Sequence, residues 1–507
     1  MGEENVLERI QEKDIENELG QDTCYEQSKS SRDSRVLSEY PWRYRVVALL
    51  CALTLAIGSH FAAHTIGSLK KNVISNLNID NTRYGVVQSA VAFVNSFIPI
   101  LGGILIDSFG TGLGSITCTF LIALGNVLVA LSTSVNSFPL MVCGRILYGV
   151  GSGTIVIAQE TIITHWFTGR NLAFTLGLMI AISRLGAFLA NATMPSFKEA
   201  TGFYGNSFWF AASLCILSFI INCMYILLLR YLNRDVLCRE EKLKLRKKKA
   251  FHFKKIIFFS TTYWLIVFSQ VLMGGAWTAF LHNATDFVEK RYNMKQELAA
   301  FNASVAHALP IVISPFLGYF LDLRGLRVTG FILSAGFFLI SQCVLAFSTV
   351  TPILGMVFFS LSLSVGPVVL ASSVGLILPL ELVGTGFGIY KSGMNVGTTI
   401  QDIAIGLIQD KSTGKNYDNV MIFFIVIAIS SVILGVVIWL LDRFLYKGIL
   451  EVERQQRIPL VKEKEQHEKN NTLSKNRASI FFALSFMALM VASWAIFFAF
   501  AVGKGGE

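Results

Sequence analysis

Charged residues are scarce in this sequence: only 15% of its 507 residues are Asp, Glu, Lys or Arg, whereas 53% are apolar. Soluble globular domains carry about 25% charged residues, so an ordinary water-soluble protein is excluded. A helix that crosses a bilayer uses about 20 apolar residues, and every backbone amide at that depth must be paired within the protein. The composition therefore predicts an all-α membrane protein.

Motifs typical of enzymes, ATP-driven pumps and metal proteins are missing. The sequence has no Gly-x-x-x-x-Gly-Lys-Ser/Thr phosphate loop, no His-Glu-x-x-His motif and no Gly-x-Ser-x-Gly motif. Its eight cysteines are scattered, mostly within apolar runs, and form no Cys-x-x-Cys pair, so neither a disulfide framework nor a zinc site is indicated. We therefore expect no enzymatic activity, no catalytic residue, no metal and no cofactor.

Long apolar runs are what the sequence has instead. Six precede a basic stretch, six follow it and a thirteenth lies near the C-terminus: residues 45–69, 83–106, 113–133, 138–160, 171–195, 206–229, 256–281, 298–321, 328–348, 352–378, 383–408, 419–441 and 480–502. The basic stretch, residues 230–255, contains eleven Lys or Arg and three acids. Because such loops stay in the cytoplasm near anionic lipid headgroups, both ends of each half are predicted to be cytoplasmic, and no nucleic-acid partner is expected.

The runs predict a domain organisation of 6+6 transmembrane helices in two pseudo-symmetric bundles. The expected parts are a disordered cytoplasmic tail (1–42), bundles at 43–230 and 256–442, a basic cytoplasmic loop (231–255), a charged linker (443–478) and an additional transmembrane helix (479–503). We expect the additional helix to be a lipid-facing anchor. The Asn283-Ala-Thr285 sequence would lie in a non-cytoplasmic loop after the seventh run, as a glycosylation acceptor.

The two halves repeat each other where their second runs end. Asp107 follows Gly102-Gly-Ile-Leu-Ile, and Asp322 follows Gly318-Tyr-Phe-Leu, with Arg324 two residues later. A carboxylate at a tight cytoplasmic turn can pair with an Arg or lie at the N-terminus of a neighbouring helix. We assign gating or structural roles to both carboxylates and Arg324, and also to Arg145, which lies early in the fourth run.

A second repeat places a cation deep in each half. In the fifth run Gly177 is followed by Arg184 and Gly186, and in the eleventh Gly384 is followed by Lys391 and Gly393, at identical spacing. At a rise of ~1.5 Å per residue the Arg lies on the order of 20 Å, and the Lys about 12 Å, into its run. A cation at the centre of a membrane helix costs ~2.5–3.5 kcal/mol, so each needs water, an acidic partner or an anionic ligand.

We predict that Arg184 and Lys391 face each other across the boundary between the bundles and bind the anionic group of a solute. Polar or aromatic neighbours would shape the pocket: Gln159, Tyr390 and Asn395. The alternative is a buried salt bridge, for which the runs offer only Glu160, Glu381 and Asp402.

Three histidines also lie in apolar runs. His60 and His64 share one face of the first helix, and His307 lies in the eighth run. Intramembrane histidines can carry protons, which makes these three candidates for proton coupling. The alternative is that each is a neutral, hydrogen-bonded wall residue.

These features together resemble the major facilitator superfamily over about residues 45–442: the six-plus-six runs, the Gly/Asp exits and Arg145-x-x-x-Gly149. Within it, the chain is similar to the branch of lysosomal dipeptide uniporters, through Gly144-Arg145, Ala158-Gln159, Trp166-Phe167, Arg184-Leu-Gly186 and Gly384-Thr. The resemblance implies alternating access by rocking of two bundles and a role for Arg184 in holding a peptide's terminal carboxylate. It also implies a vacuolar or lysosomal membrane, with the plasma membrane as the alternative.

The sequence departs from that branch in three places. Gly151-Ser-Gly153-Thr154 stands where the branch carries an acid expected to meet the peptide's amino end. His60 and His64 stand where it has tyrosine and an acid, and the thirteenth run has no counterpart. The loss of that acid, together with the added Lys391, makes the predicted cavity more cationic.

The sequence thus predicts a multi-pass transporter of a small carboxylate-bearing organic solute, by resemblance a dipeptide or an amino-acid-like compound. Its expected partners are that solute and the lipid bilayer, and an accessory membrane subunit is left open. One alternative is a proton-coupled, monocarboxylate-like carrier of organic anions. Another is a transport-inactive membrane receptor or scaffold.

Overall fold

The computed structural model describes residues 41–167, 172–231, 259–348, 351–378, 383–412, 414, 416–445, 448–453, 455–456, 459 and 477–502. The first half forms α1 Trp42–Thr54, α2 Ile57–Ser68, α3 Lys70–Leu77, α4 Asn81–Asn95, α5 Ile98–Val135, α6 Phe138–Phe167, α7 Leu172–Thr201 and α8 Gly205–Tyr231. The second half forms α9 Thr261–Ser269, α10 Gly275–Tyr292, α11 Gln296–Ser304, α12 Ala308–Arg324, α13 Arg327–Phe347, α14 Pro352–Ile377, α15 Val383–Lys411 and α16 Asp418–Leu445. Last comes α17, Arg477–Val502. Nearly all of the predicted tail and basic loop, and residues 460–476 of the linker, lie outside the described residues.

Eleven helical stretches of the described chain are long and apolar enough to cross a membrane, against thirteen predicted runs. The second run is divided between two helices: α4 ends at Asn95, and α5 continues from Ile98 through Asp107 to Val135. The tight turn expected after Asp107 is therefore wrong, since helical glycines cost only about 1 kcal/mol each and do not end a helix by themselves. The eleventh run forms α15, whose polar side chains lower its hydropathy.

The seventh run contains a π-helical turn, Gln270–Gly274, between α9 and α10. Such a turn diverts backbone carbonyls from the regular helical pattern. Gln401 of α15 donates from Nε2 to the carbonyls of Val271 (3.1 Å) and Leu272 (2.9 Å), which satisfies them at membrane depth. The helices approach so closely that a Cβ on Gly397 would lie 1.9 Å from the Val271 oxygen, so only glycine fits there.

Each half encloses its own apolar core, and α17 joins both. Its Phe486 packs in the core of the second half, and its Phe497 packs in a core of the first half, where it stacks on Phe93 with ring centroids 4.5 Å apart. Two tryptophans fasten it: Trp264 Nε1 donates to Ser479 Oγ, and Trp494 Nε1 donates to Ser96 Oγ, both at 2.8 Å. The thirteenth run therefore crosses the boundary between the halves, which corrects the expectation of a merely lipid-facing anchor.

The loop expected after residue 281 is also corrected, because α10 continues to Tyr292. Asn283 lies inside this helix and is only 5% exposed. Its side chain accepts a hydrogen bond from Lys70 Nζ at 2.8 Å and donates to the Ala279 carbonyl. A glycan cannot be attached to a side chain buried in this way, so the expected glycosylation acceptor is wrong.

Candidate functional site

Arg184 lies on α7, where that helix crosses α2. Gly186, two residues later, faces α2: a Cβ there would lie 3.8 Å from both His60 Cβ and the Ile57 carbonyl oxygen, at ordinary van der Waals distance. The Arg184 side chain is half-buried, and it makes no hydrogen bond or ion pair with any described residue. Of the carboxylates offered by the sequence, neither Glu160 nor Asp402 is paired with it, and Glu381 lies outside the described residues.

The three histidines predicted from the sequence lie around Arg184. His60 and His64 lie on α2, in the first half. His307 comes from the second half, where it ends a 3-10 turn, Val305–His307, between α11 and α12. The His64 and His307 rings meet edge to face across the boundary with centroids 4.7 Å apart. The positive charge of Arg184 acts on all three histidines.

His307 is the most confined of these groups. Its side chain is 0% exposed, and neither ring nitrogen has a hydrogen-bond partner among the described residues. Leaving a buried polar group unpaired costs about 1–3 kcal/mol. The imidazole is thus placed to accept or donate a hydrogen bond when a water, a proton or a solute group enters beside it.

A fourth histidine, His282 of α10, is paired with a carboxylate. Its Nδ1 lies 3.0 Å from both carboxylate oxygens of Asp402 on α15. The histidine side chain is 12% exposed and the aspartate 1%. Sequence reasoning missed this pair because the seventh run was ended at residue 281, one position before the histidine.

The predicted residues of α15 lie in a helix that contacts the first half. Lys391 is half-buried, and its ammonium has no hydrogen bond or ion pair with a described residue. Asn395 donates from Nδ2 to the Asn95 carbonyl of α4 at 3.1 Å, which joins the halves. Tyr390 is buried, at 4% exposure. That Lys391 and Arg184 face each other stays a prediction.

Gln159 and Arg145 brace helices of the first half. Gln159 of α6 donates from Nε2 to the Ala52 carbonyl of α1 at 2.8 Å. Arg145 donates from Nε to the Val87 carbonyl (3.3 Å) and from Nη2 to Gln88 Oε1 (3.1 Å). These contacts are those of a packing and hydrogen-bonding brace.

Lys70 anchors a polar cluster where α2 ends, at what we call the outer end of the boundary. Its ammonium donates to Asn283 Oδ1 (2.8 Å), Gln409 Oε1 (2.6 Å) and Tyr417 Oη (3.0 Å), and lies 3.4 Å from Asp286 Oδ2. The apolar pattern does not indicate Lys70, because the first run ends at residue 69. This one side chain ties the first half to α10, to α15 and to the residue before α16.

The Lys70 cluster is closed to water. The side chains of Lys70 and Asp286 are 1% and 2% exposed. Burial lowers the pKa of Lys70 to about 8, although attraction to Asp286 opposes this change. Burial also raises the pKa of Tyr417, whose hydroxyl stays protonated and donates to Asp286 Oδ2 at 2.5 Å.

Two further contacts close the outer end. Asp410, in the last turn of α15, accepts from the backbone and side chain of Asn81 (3.1 and 2.8 Å) and of Thr82 (2.8 and 2.6 Å). It thereby binds the exposed amides at the start of α4. Lys71 and Glu289 form an ion pair at 2.5 Å, with 63% of the lysine side chain exposed.

The predicted gating residues of the Gly/Asp exits are only partly described. Arg324 forms an exposed ion pair with Glu453, at 2.8 Å, in the segment after α16. The side chains of Asp107 and Asp322 lie outside the described part. Among the described residues no cluster of three or more His, Cys, Asp or Glu could hold a metal ion.

The boundary thus offers a cation that has no partner among the described residues, imidazoles and a histidine-paired carboxylate, while its outer end is closed by polar contacts. Comparison with known proteins identifies the family of the chain. The family model of the Major Facilitator Superfamily matches residues 48–399 and 266–505. Solved structures of the nucleoside transporter NupG (TM-score 0.61, 13% identity, 79% of this chain and 99% of that one) and of the peptide transporter POT in complex with sulfate (0.59, 14%, 78% and 94%) share the fold.

Curated relatives extend over most of the chain. The lysosomal dipeptide transporter MFSD1 of Danio rerio is 26% identical over 424 residues, covering 80% of this chain and 89% of that protein. The MFSD1 protein of Mus musculus is 27% identical over 416 residues, covering 79% and 87%. Together with the many apolar helices, these matches show that the chain is a multi-pass membrane transporter, not an enzyme, and that it belongs to the major facilitator superfamily, near the lysosomal dipeptide transporters.

Proposed function

We propose that this protein carries a small carboxylate-bearing organic solute across its membrane by alternating access, and that Arg184 binds the carboxylate. One observation carries the proposal: a half-buried guanidinium at the boundary between the halves has no acidic or hydrogen-bonding partner among the described residues. A buried charge without a partner is costly, and a visiting carboxylate would offset that cost through a bidentate pair.

Dipeptides and amino-acid-like compounds come first among such solutes, because the relatives are named as dipeptide transporters. Their names also put a lysosomal or vacuolar membrane first as the location. Lys391 and Asn395 would line the cytoplasmic approach to the same boundary, with Tyr390 and Gln159 as wall residues. The closed outer end is one of the two states that alternating access requires.

The test is counterflow of labelled dipeptide into liposomes containing the purified protein and excess unlabelled dipeptide. Arg184→Ala should lower exchange about 100-fold, since removing one partner of a desolvated charge pair costs about 3 kcal/mol. Arg184→Lys should restore only part of it, because an ammonium cannot form the bidentate pair. Lys198→Ala, which removes a cation at the end of the same helix, is the matched control and should exchange normally. If Arg184→Ala carries every carboxylate solute as well as the parent protein, Arg184 is not the binding group.

A proton-coupled carrier of organic anions is the second candidate, favoured by the His64–His307 pair. The two rings come from different halves, so relative movement of the halves would separate them and change which one can hold a proton. Their neighbours are Arg184, His60 and His282, the last bound to Asp402.

Uptake of a monocarboxylate and a dipeptide, with and without a pH gradient, distinguishes the two candidates. Proton coupling predicts that the pH gradient drives accumulation of the solute. It also predicts that His307→Gln and His64→Gln each reduce this accumulation by a larger factor than they reduce exchange. A gradient that leaves accumulation of both solutes unchanged rejects the second candidate.

A further inference from the structure

His282 and Asp402 form a pair that the binding of a carboxylate does not use. Asp402 is 2% exposed, and both of its carboxylate oxygens lie 3.0 Å from one nitrogen of His282. The imidazole is the more accessible member of the pair, with 12% of its side chain exposed. A group that approaches the pair therefore meets the ring before the carboxylate.

The contact fixes which ring nitrogen is left for a ligand. With Nδ1–H donating to Asp402, the neutral imidazole presents the lone pair of Nε2. That nitrogen has no hydrogen bond with a described residue and is not among the atoms sealed from solvent. A lone pair backed by a carboxylate suits a cationic donor such as an ammonium group.

Helix α2 contacts both the His282 backbone and the segment next to Arg184, so the spacing of these two contacts along α2 indicates how far apart the two groups lie. His60 packs beside Gly186, two residues from Arg184, and Gly67 packs against the His282 backbone, with its Cβ position 3.4 Å from the His282 oxygen. The seven residues between these two contacts rise about 10 Å along the helix. The two ends of an extended dipeptide lie about 7 Å apart, and a hydrogen bond of about 3 Å at each end brings the span to about 13 Å, which is of the same order as this spacing.

The intervening surface is formed by imidazoles. His64 lies between the two contacts on α2, and its ring meets that of His307 edge to face. A solute lying along α2 would thus meet a guanidinium at one end and the paired imidazole at the other, with His64 and His307 beside its middle.

We propose that the His282–Asp402 pair binds the ammonium group of a zwitterionic solute whose carboxylate is held by Arg184. This inference rests on the proposed function and narrows it: the solute is a free-amino dipeptide, or an amino acid of similar length, rather than a simple organic anion. Asp402 acts as a positioning residue, which sets the tautomer of His282 and supplies the charge behind it.

The experiment compares counterflow of leucyl-alanine and N-acetyl-leucyl-alanine, which share a free carboxylate and differ in the ammonium group. The parent protein should prefer the free amine by about 30-fold, as expected for one charged hydrogen bond. Asp402→Asn should lower leucyl-alanine exchange by about the same factor and change exchange of the acetylated peptide less than about threefold. His282→Gln should act in the same direction.

Two controls separate binding from folding. The ratio of the two rates in one preparation does not depend on how much protein is folded. Asp418→Asn, which removes an exposed carboxylate at the start of α16, should leave the ratio unchanged. Equal rates for the two peptides in the parent protein, or equal losses of both in Asp402→Asn, would overturn this inference while leaving the Arg184 proposal in place. If neither peptide is exchanged, the carboxylate proposal fails as well.

Discussion

Lys70, which is buried, and Arg184, which is half-buried, are two cations at the same boundary, and they differ in their partners. Lys70, at the outer end, has three hydrogen-bond acceptors and a carboxylate around its ammonium. Arg184, in the middle, has no such partner among the described residues. The difference teaches that burial alone does not mark a binding site: a cation whose partners are built into the chain holds the structure together, whereas one without partners is available to a solute.

Removing the satisfied cation should have the largest effect on stability. Lys70→Met leaves Asp286 with Lys290, at 3.1 Å, and the Tyr417 hydroxyl as partners, and removes the donor to three neutral side chains. We expect the free energy of unfolding to fall by about 3 kcal/mol, measured by thermal unfolding in detergent. In the control variant Lys71→Met, which changes the exposed neighbouring lysine, the free energy of unfolding should fall by less than about 1 kcal/mol. Equal losses of unfolding free energy in the two variants would show that the buried partners of Lys70 do not stabilise the protein more than an exposed ion pair does.

Asp410 tests whether the outer end depends on several such contacts. Asp410→Ala removes four hydrogen bonds to Asn81 and Thr82 at the start of α4. Asp80, the N-cap of α4, stays in place, but the amides of Asn81 and Thr82 lose their acceptor, so we expect a loss of about 2 kcal/mol in the same unfolding measurement. Asp410→Asn, which keeps one acceptor oxygen, should lose about half as much. If Asp410→Ala leaves the free energy of unfolding unchanged, the closed outer end depends on the Lys70 cluster and not on Asp410.

The pKa of Lys70 predicts how pH acts on the outer end. In the closed arrangement this pKa is about 8, and opening would expose the ammonium and return it to about 10.4. Opening therefore takes up a proton, so raising the pH from about 8 to 10.4 favours closure, by ~1.4 kcal/mol per pH unit. Below about pH 8 the ammonium is charged in both arrangements and the effect is absent.

This dependence can be measured by thiol labelling of Ser68→Cys, at the buried end of α2, in a protein without its native cysteines. After correction for the intrinsic reactivity of the thiol, labelling should slow up to about tenfold between pH 8 and 9. The same cysteine combined with Lys70→Met should show no such slowing. Labelling that accelerates after correction would contradict the assigned direction.

Arg184→Met should have the smallest effect on stability and so completes the comparison. Since no described partner is lost and an unpaired charge is removed, the free energy of unfolding should stay within about 0.5 kcal/mol of the parent value or rise. Dipeptide counterflow by the same preparation should nevertheless be lost. A destabilisation as large as that of Lys70→Met would show that Arg184 has a structural partner.

The sequence predicted the helical elements better than their ends. Apolar runs locate spans because a membrane demands them, but they cannot show that a helix continues into polar residues buried against another helix. The seventh run illustrates this: α10 extends eleven residues past 281, and His282, Asn283 and Asp286 lie in that extension. Lys70 was missed for the same reason, since a cation beside a run is usually solvated.

The candidate site was predictable in its residues and not in its pairing. Deep cations and histidines stand out in apolar runs, so Arg184, His60, His64 and His307 could be named. The symmetry between Arg184 and Lys391 suggested that they face each other, which stays a prediction, whereas the contact of His64 with His307 across the boundary was not foreseen. Which side chains meet across the boundary depends on how each helix is rotated and on breaks such as the π-helical turn at Gln270–Gly274. The spacing of apolar residues in the sequence predicts neither of these.

The C-terminal helix has a mechanical consequence. Its two fastenings, at Ser479 on the second half and at Trp494 on the first, are about 22 Å apart along a rod that cannot stretch. When two bodies rotate about one another, a rod attached to both must tilt, slide or release one attachment. Transport by rocking would therefore load α17 in every cycle, so the strength of two indole–hydroxyl contacts would help to set how fast the protein turns over.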